Sequence, residues 1–284
     1  MRQLFQTFTF VLTLGCLAAC NQSKPDEEPV PGLTITVNGE SFEMVMVEGG
    51  TLLMGCTSEQ GRDCMDNEKP AHEDTLSTFY IGKYEVTQRL WNAVIGAEHN
   101  RSYNTGCDDC PVENVSWNDA QAFLAKLTIL TGKMFRLPTE SEWEYAARGG
   151  QRSKGYKYSG SNKVGEVAWY EENYKKDKQG DRGTTHPVGT KKPNELGIYD
   201  MSGNVWEWCE DWYTKEYYQD GKKVHQGWPF PGMNRYFRCI IRGGSWGGMA
   251  TGCRVSYIDY DVKGFRDEYG GFRLAMSADS TLIE

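Results

Sequence analysis

Asn194-Glu195-Leu196-Gly197-Ile198-Tyr199-Asp200-Met201-Ser202-Gly203-Asn204-Val205-Trp206-Glu207-Trp208 is the stretch on which the reading of this chain turns. It places glycines and tryptophans side by side and shows no long amphipathic period. The whole region from Gln151 to Glu284 has the same character, rich in Gly, Trp and Tyr. Regular elements are easier to place upstream. Thr34–Val37, Asn38-Gly39 and Phe42–Val47 predict strand, turn and strand, and Gly49-Gly50 leads to the apolar Leu52–Met54. Thr78–Thr87 has mixed strand character and runs into a helix over Gln88–Ile95, with Thr87 as N-cap. Ser116-Trp117-Asn118-Asp119 is close to a capping box. Ala120, Phe123, Leu124, Leu127 and Leu130 follow at helical spacing until Gly132. Thr139 and Glu142 form a second box, in a helix that Gly149-Gly150 ends. Few helices beside long ordered loops imply an α+β domain. Loops this long need pinning, by metal ions or disulfides.

Bulk composition narrows the class. Of 284 residues, 39% are hydrophobic and 25% charged, as in a globular rather than a disordered chain. The net charge of −8, with no basic face, argues against nucleic acid and against attraction to anionic membrane surfaces. Membrane attachment would therefore be covalent. Arg2 precedes an apolar run from Phe8 to Ala19 that is too short for a comfortable transmembrane span. The run ends in Leu17-Ala18-Ala19-Cys20, which looks like a bacterial lipobox. Residues 1–19 are thus expected to be a lipoprotein signal peptide and Cys20 to carry lipid; Cys16, after Leu14-Gly15, is the poorer candidate. Residues 20–33, with Asp26-Glu27-Glu28 and three prolines, read as a flexible acidic tether. Its acidic tract resembles a lipoprotein surface-export signal. The expected place is the cell envelope, lipid-anchored to the outer membrane, with outward or periplasmic orientation left open.

Four segments in order carry a family resemblance. The first runs from Phe42-Glu43-Met44-Val45 through Gly49-Gly50 to Met54-Gly55, then Glu68-Lys69-Pro70-Ala71-His72 and Lys83-Tyr84-Glu85-Val86-Thr87. The second is Pro111-Val112 to Trp117, leading into Arg136–Arg148. The third is the stretch quoted above. The fourth is Arg242-Gly243-Gly244-Ser245-Trp246, ending in Gly270-Gly271-Phe272-Arg273. Together they resemble the formylglycine-generating-enzyme, or sulfatase-modifying-factor, family. The likeness covers roughly Pro31 to Met276 and sets the domain at residues 34–278, with 279–284 as a C-terminal tail. It implies an irregular, loop-rich α+β fold related to the C-type-lectin fold, with few short helices and strands and with calcium as a stabiliser.

The resemblance also implies sites. A calcium ion would take the carbonyls of Ser202, Gly203 and Val205 and the carboxylate of Glu207. A tight Gly-containing loop suits a hard cation that accepts about six to eight oxygens. A second calcium would fall at Asn173, the Tyr174 carbonyl and Asp181, in a loop shorter here than in the oxidase members. Those members bind Cu(I) through two cysteines spaced C-x₄-C after the Gly-Gly-Ser-aromatic segment, and oxidise a substrate cysteine with O₂. Aligned from Ser245-Trp246, the second cysteine is Cys253, with Ser245 in support, but the first position is Gly248. Two soft thiolates suit Cu(I), whereas one makes a poor site.

Seven cysteines remain once Cys16 and Cys20 are set aside. In an oxidising compartment, Cys56 with Cys64 and Cys107 with Cys110 read as disulfides across short loops. Cys209, Cys239 and Cys253 are left with their pairing open. No H-E-x-x-H or P-loop occurs. His72 reads as a structural hydrogen-bonder. The expected function is a calcium-stabilised, non-catalytic binding or scaffolding module with a protein or glycan partner at the cell surface. The alternative is a copper-dependent oxidase making formylglycine from sulfatase cysteines, in which Cys209 or Cys239 replaces the missing thiolate.

Overall fold

In the computed structural model, residues 29–174, 183–213 and 238–279 are described. The expectations for Cys20, the signal peptide, most of the tether, Asp181 and residues 280–284 lie outside them. The first hairpin joins β1 (Gly32–Val37) to β2 (Glu40–Val47). Asn38 and Gly39 both have positive φ, 49° and 86°, the two-residue turn whose twist matches the strands. Strands β3 (Gly50–Met54) and β4 (His72–Leu76) pair with each other. Next comes β5 (Phe79–Gly82), shorter than the predicted Thr78–Thr87. After Gly82 the chain leaves the sheet: Lys83 N–H donates to Glu43 O and Val86 N–H to Phe272 O, so that Glu85 turns inward beneath the 200–207 segment.

Three of the helices follow their local signals. Helix α1 (Gln88–Val94) is capped by Thr87, whose hydroxyl accepts the Leu90 N–H. Ser116 and Asp119 close the capping box of α2 (Trp117–Thr131), which Gly132 ends in the left-handed conformation. Thr139 and Glu142 do the same for α3 (Glu140–Ala147), a helix buried along its whole length. A short α4 (Val164–Val167) follows. The C-terminal region then holds β6 (Trp206–Trp212), β7 (Arg238–Arg242), β8 (Asp259–Val262), β9 (Gly270–Gly271) and β10 (Ala275–Ser277).

Strand order is β1-β2-β5-β10 in one sheet and β8-β7-β6-β9 in another, with β3-β4 as a separate ribbon. All pairs are antiparallel except β6 with β9. One face of the first sheet sets Ile35, Val37 and Met44 against α1 and α2 through Leu90, Phe123, Leu124 and Leu127. The other face sets Val45, Val47, Phe79 and Ile81 against Trp143 and Ala146 of α3. This is the expected α+β fold, poor in regular structure. Three arginines, Arg242, Arg254 and Arg273, are fully buried within it.

Candidate functional site

The 200–207 segment is wound more tightly than its sequence suggests. Asp200, Gly203 and Asn204 all have positive φ, and a Cβ on Gly203 would lie 2.2 Å from the Trp169 carbonyl. Only glycine fits there. Asn204 holds the turn from both sides. Its amide donates to Glu85 and to the His186 carbonyl, and its carbonyl oxygen accepts the His186 N–H at 3.0 Å. The Glu85 carboxyl also accepts the Val205 N–H, at 3.1 Å.

From Trp206 the chain is strand, and the expected ligand Glu207 lies within it. It does not line the loop; it sits in β6 opposite Arg242 of β7 and Gly271 of β9. Its carboxylate is fully buried against Arg273, with Nη2 at 2.6 Å, and also accepts Trp143 Nε1–H at 2.7 Å. Arg273 in turn donates to the carbonyls of Gly82 and Tyr199, each at 3.0 Å. Glu207 as placed is the counter-ion of Arg273.

Two further carboxyls share this interior, and sequence reasoning gave neither a role. Burial, then the charges of Asp200 and Glu207, pushes Glu85 well above the usual carboxylate range. Burial raises Asp200 to about 6, although it accepts the Gly189 N–H. Glu85, Asp200 and Glu207 thus surround the one guanidinium of Arg273. Carboxyl oxygens are the donor type that a hard cation takes. Among the described residues, no three His, Cys, Asp or Glu side chains converge as a ligand set, so main-chain oxygens would have to complete the shell.

Of the second expected calcium site, Asn173 and Tyr174 are among the described residues. The Asn173 side chain accepts the Tyr170 N–H and donates to the Ala168 carbonyl, both at 2.9 Å, and so closes its own turn. The Tyr174 ring packs edge-on to Trp246.

The cysteines divide cleanly. Cys56 pairs with Cys64 and Cys107 with Cys110, while Cys209, Cys239 and Cys253 are free thiols. Each free thiol lies in a different apolar cluster: Cys239 with the α1/α2 core, Cys209 with the Trp143 core, and Cys253 with Tyr158, Val167 and Tyr170. Neither Cys209 nor Cys239 therefore supplies the missing partner of Cys253. Burial, aided by Glu171, pushes the Cys253 thiol up to about 12, so it stays protonated at neutral pH. Gly248 packs close by on the Ser245 turn, its N–H donating to the Ser245 carbonyl at 3.0 Å. A Cβ at Gly248 would meet only ordinary contacts at 3.5 Å, so the fold does not itself exclude a thiol there. Titration with a thiol reagent should find no accessible thiol in the native mature protein and three in denaturant. Any fast-reacting thiol in the native state would contradict this burial.

A loop-rich α+β domain, bound together by buried Arg–Glu pairs drawn from its own motif segments, defines the class. Residues 34–278 match the sulfatase-modifying factor enzyme 1-like domain, and the chain belongs to that family. It is 36% identical to the chaperone protein LppX of Paenibacillus barcinonensis, over 93% of this chain and 95% of LppX. It is also 36% identical to the formylglycine-generating enzyme of Streptomyces coelicolor, over 67% of this chain and 62% of the enzyme's length. Treponema denticola variable protein 1 has a similar solved structure, with a TM-score of 0.67 at 32% identity over 87% of this chain and 99% of that one.

Proposed function

We propose that this protein is a lipid-anchored envelope protein that uses the sulfatase-modifying-factor fold to bind exported polypeptide and does not oxidise cysteine. The observation that carries this reading is the thiol site. Gly248 stands where a second thiolate would be needed, and Cys253 is buried and protonated, with no partner among the other free cysteines. A relative of nearly the same length that bears the name of a chaperone supports binding over catalysis. A calcium ion on the carbonyls of Ser202, Gly203 and Val205 is proposed as a stabiliser of the fold. Its support is the set of three carboxyls around one guanidinium, of which Glu85 accepts the Val205 N–H.

The test of the catalytic alternative is to incubate reduced protein with Cu(I), O₂ and a peptide carrying Cys-x-Pro-x-Arg. No mass loss from thiol to aldehyde is expected in wild type. Gly248→Cys should gain Cu(I) binding, because it restores two thiolates with four residues between them. Conversion by wild type that disappears in Cys253→Ser would overturn the non-catalytic reading.

The anchor is tested separately. Incorporation of a fatty-acid probe should be lost in Cys20→Ala; labelling that persists would move the lipid to another residue or remove it from the proposal.

A further inference from the structure

Strand β1 is the outer strand of the four-stranded sheet, and among the described residues nothing pairs with its free side. The Met46 N–H donates to Pro31 O, and the register runs Gly32↔Val45 and Leu33↔Met44. In an antiparallel ladder this alternation directs Leu33, Ile35 and Val37 to β2, and turns the N–H and C=O of Gly32, Thr34 and Thr36 outward. Thr34 and Thr36 are exposed. The strand reads Gly-Leu-Thr-Ile-Thr-Val, β-branched and free of charge and proline. Two rim strands, by contrast, carry charge: β4 has His72, Glu73 and Asp74, and β8 has Asp259 and Asp261. Such charges are how proteins discourage pairing at an open edge, and β1 has none.

Two surfaces flank this edge. Helix α2 packs on β1, and its apolar stripe outruns the core. Leu127 is fully buried, but Leu130, one turn on, is 43% exposed, beside Ile129 at 81% and Met134 at 59%. On the opposite face a cleft of about 480 Å³ is lined by Gly32, Thr34, Glu43, Val45, Arg152 and Leu196. A strand added beside β1 would send alternate side chains to these two surfaces.

A second copy is a poor occupant. Paired strands lie only about 4.8 Å apart, whereas helices are about 10 Å thick. Joining two β1 edges would drive both α2 helices into the same space. A lone extended segment meets no such obstacle.

We propose that the free side of β1 captures an extended, weakly charged segment of a non-native exported polypeptide by strand addition, with alternate side chains turned to the α2 face and to the cleft. This rests on the polypeptide-binding reading above and names its surface. The test uses detergent-solubilised full chain and fluorescein-labelled α-lactalbumin, reduced and alkylated so that it stays unfolded, read by anisotropy. Wild type should bind. Thr36→Lys, which adds a guarding charge, and Thr34→Pro, which removes an outward N–H, should weaken binding about tenfold or more, the scale of one or two lost ladder hydrogen bonds. Leu53→Ser, at an exposed apolar residue of β3, should leave binding unchanged. Melting curves check folding, and Thr36→Lys decides if Thr34→Pro is unstable. Binding by wild type that both edge variants retain would overturn the edge and leave the binding reading intact. No binding by wild type would overturn the binding reading itself. A dimer that Thr36→Lys dissolves would make a second copy the occupant and overturn the proposal.

Discussion

Glu207→Ala is expected to lower the unfolding free energy by about 3–5 kcal/mol, the scale of a buried ion pair that loses one partner. Glu207 and Arg273 are both fully buried, and the carboxylate takes hydrogen bonds from two guanidinium nitrogens and from Trp143. Removing it leaves a fully buried guanidinium that has lost its hydrogen-bonded counter-ion, with Glu85 and Asp200, carboxyls that burial holds above their usual range, as the remaining acids near it. It also leaves the Trp143 N–H without its acceptor. Such a loss is a large part of a stability that is typically about 5–15 kcal/mol. Arg273→Met should cost a similar amount. Glu207→Leu combined with Arg273→Met should cost clearly less than the sum of the single changes, because the two residues form one unit. Melts with a calcium chelator separate this role from metal binding. Wild type should lose stability when chelated, by the release of an ion that binds only the native state. The Glu207→Ala loss should appear in full even in chelator. If Glu207→Ala melts like chelated wild type and chelator does nothing more to it, the carboxylate acts through calcium and the ion-pair account fails.

What the sequence disclosed, and what it hid, divides by the range of the interactions. Ser116 with Asp119 and Thr139 with Glu142 act over three residues, so their caps could be read directly. The Asn38-Gly39 turn and the short Cys56–Cys64 and Cys107–Cys110 loops are equally local. Strand β6 was missed because it is buried on nearly every side, which erases the alternation that marks a half-exposed strand. The partners of the motif charges could not be read at all. Glu207 meets Arg273 66 residues away, and Glu144 meets Arg242 98 residues away. The family resemblance marked these residues as important and assigned one of them to calcium. The structure gives that same carboxylate an arginine. Asn173 is a parallel case, since an Asn beside a Tyr reads as a ligand or as a turn with equal ease until its own hydrogen bonds are seen.

Glu68→Gln is expected to cost about 3–5 kcal/mol near neutral pH, for the reason that applies to Glu207 and with a pH dependence that can be worked out in advance. Glu68 belongs to the Glu-Lys-Pro segment and reaches across to Arg254, 186 residues on, with both side chains fully buried. Its carboxylate accepts from two guanidinium nitrogens, from the Ser256 hydroxyl at 2.6 Å and from the Met65 N–H at 2.8 Å. Burial alone would raise its pKa; Arg254, the Met65 N–H and Ser256 outweigh burial and hold it below its ordinary 4.5. A carboxyl lowered in the folded state contributes stability that is present above the unfolded value and is lost as pH falls through the folded one. The wild-type advantage over Glu68→Gln should therefore be full at about pH 7 and about pH 5, and shrink by about pH 3.5. Urea unfolding of both proteins at those three pH values measures it. Gln keeps the shape and one acceptor oxygen, so a large neutral-pH difference reports the lost charge rather than a cavity. A penalty that stays constant down to the acid end would mean that Glu68 is not ionised in the fold, and that Arg254 is balanced by another group.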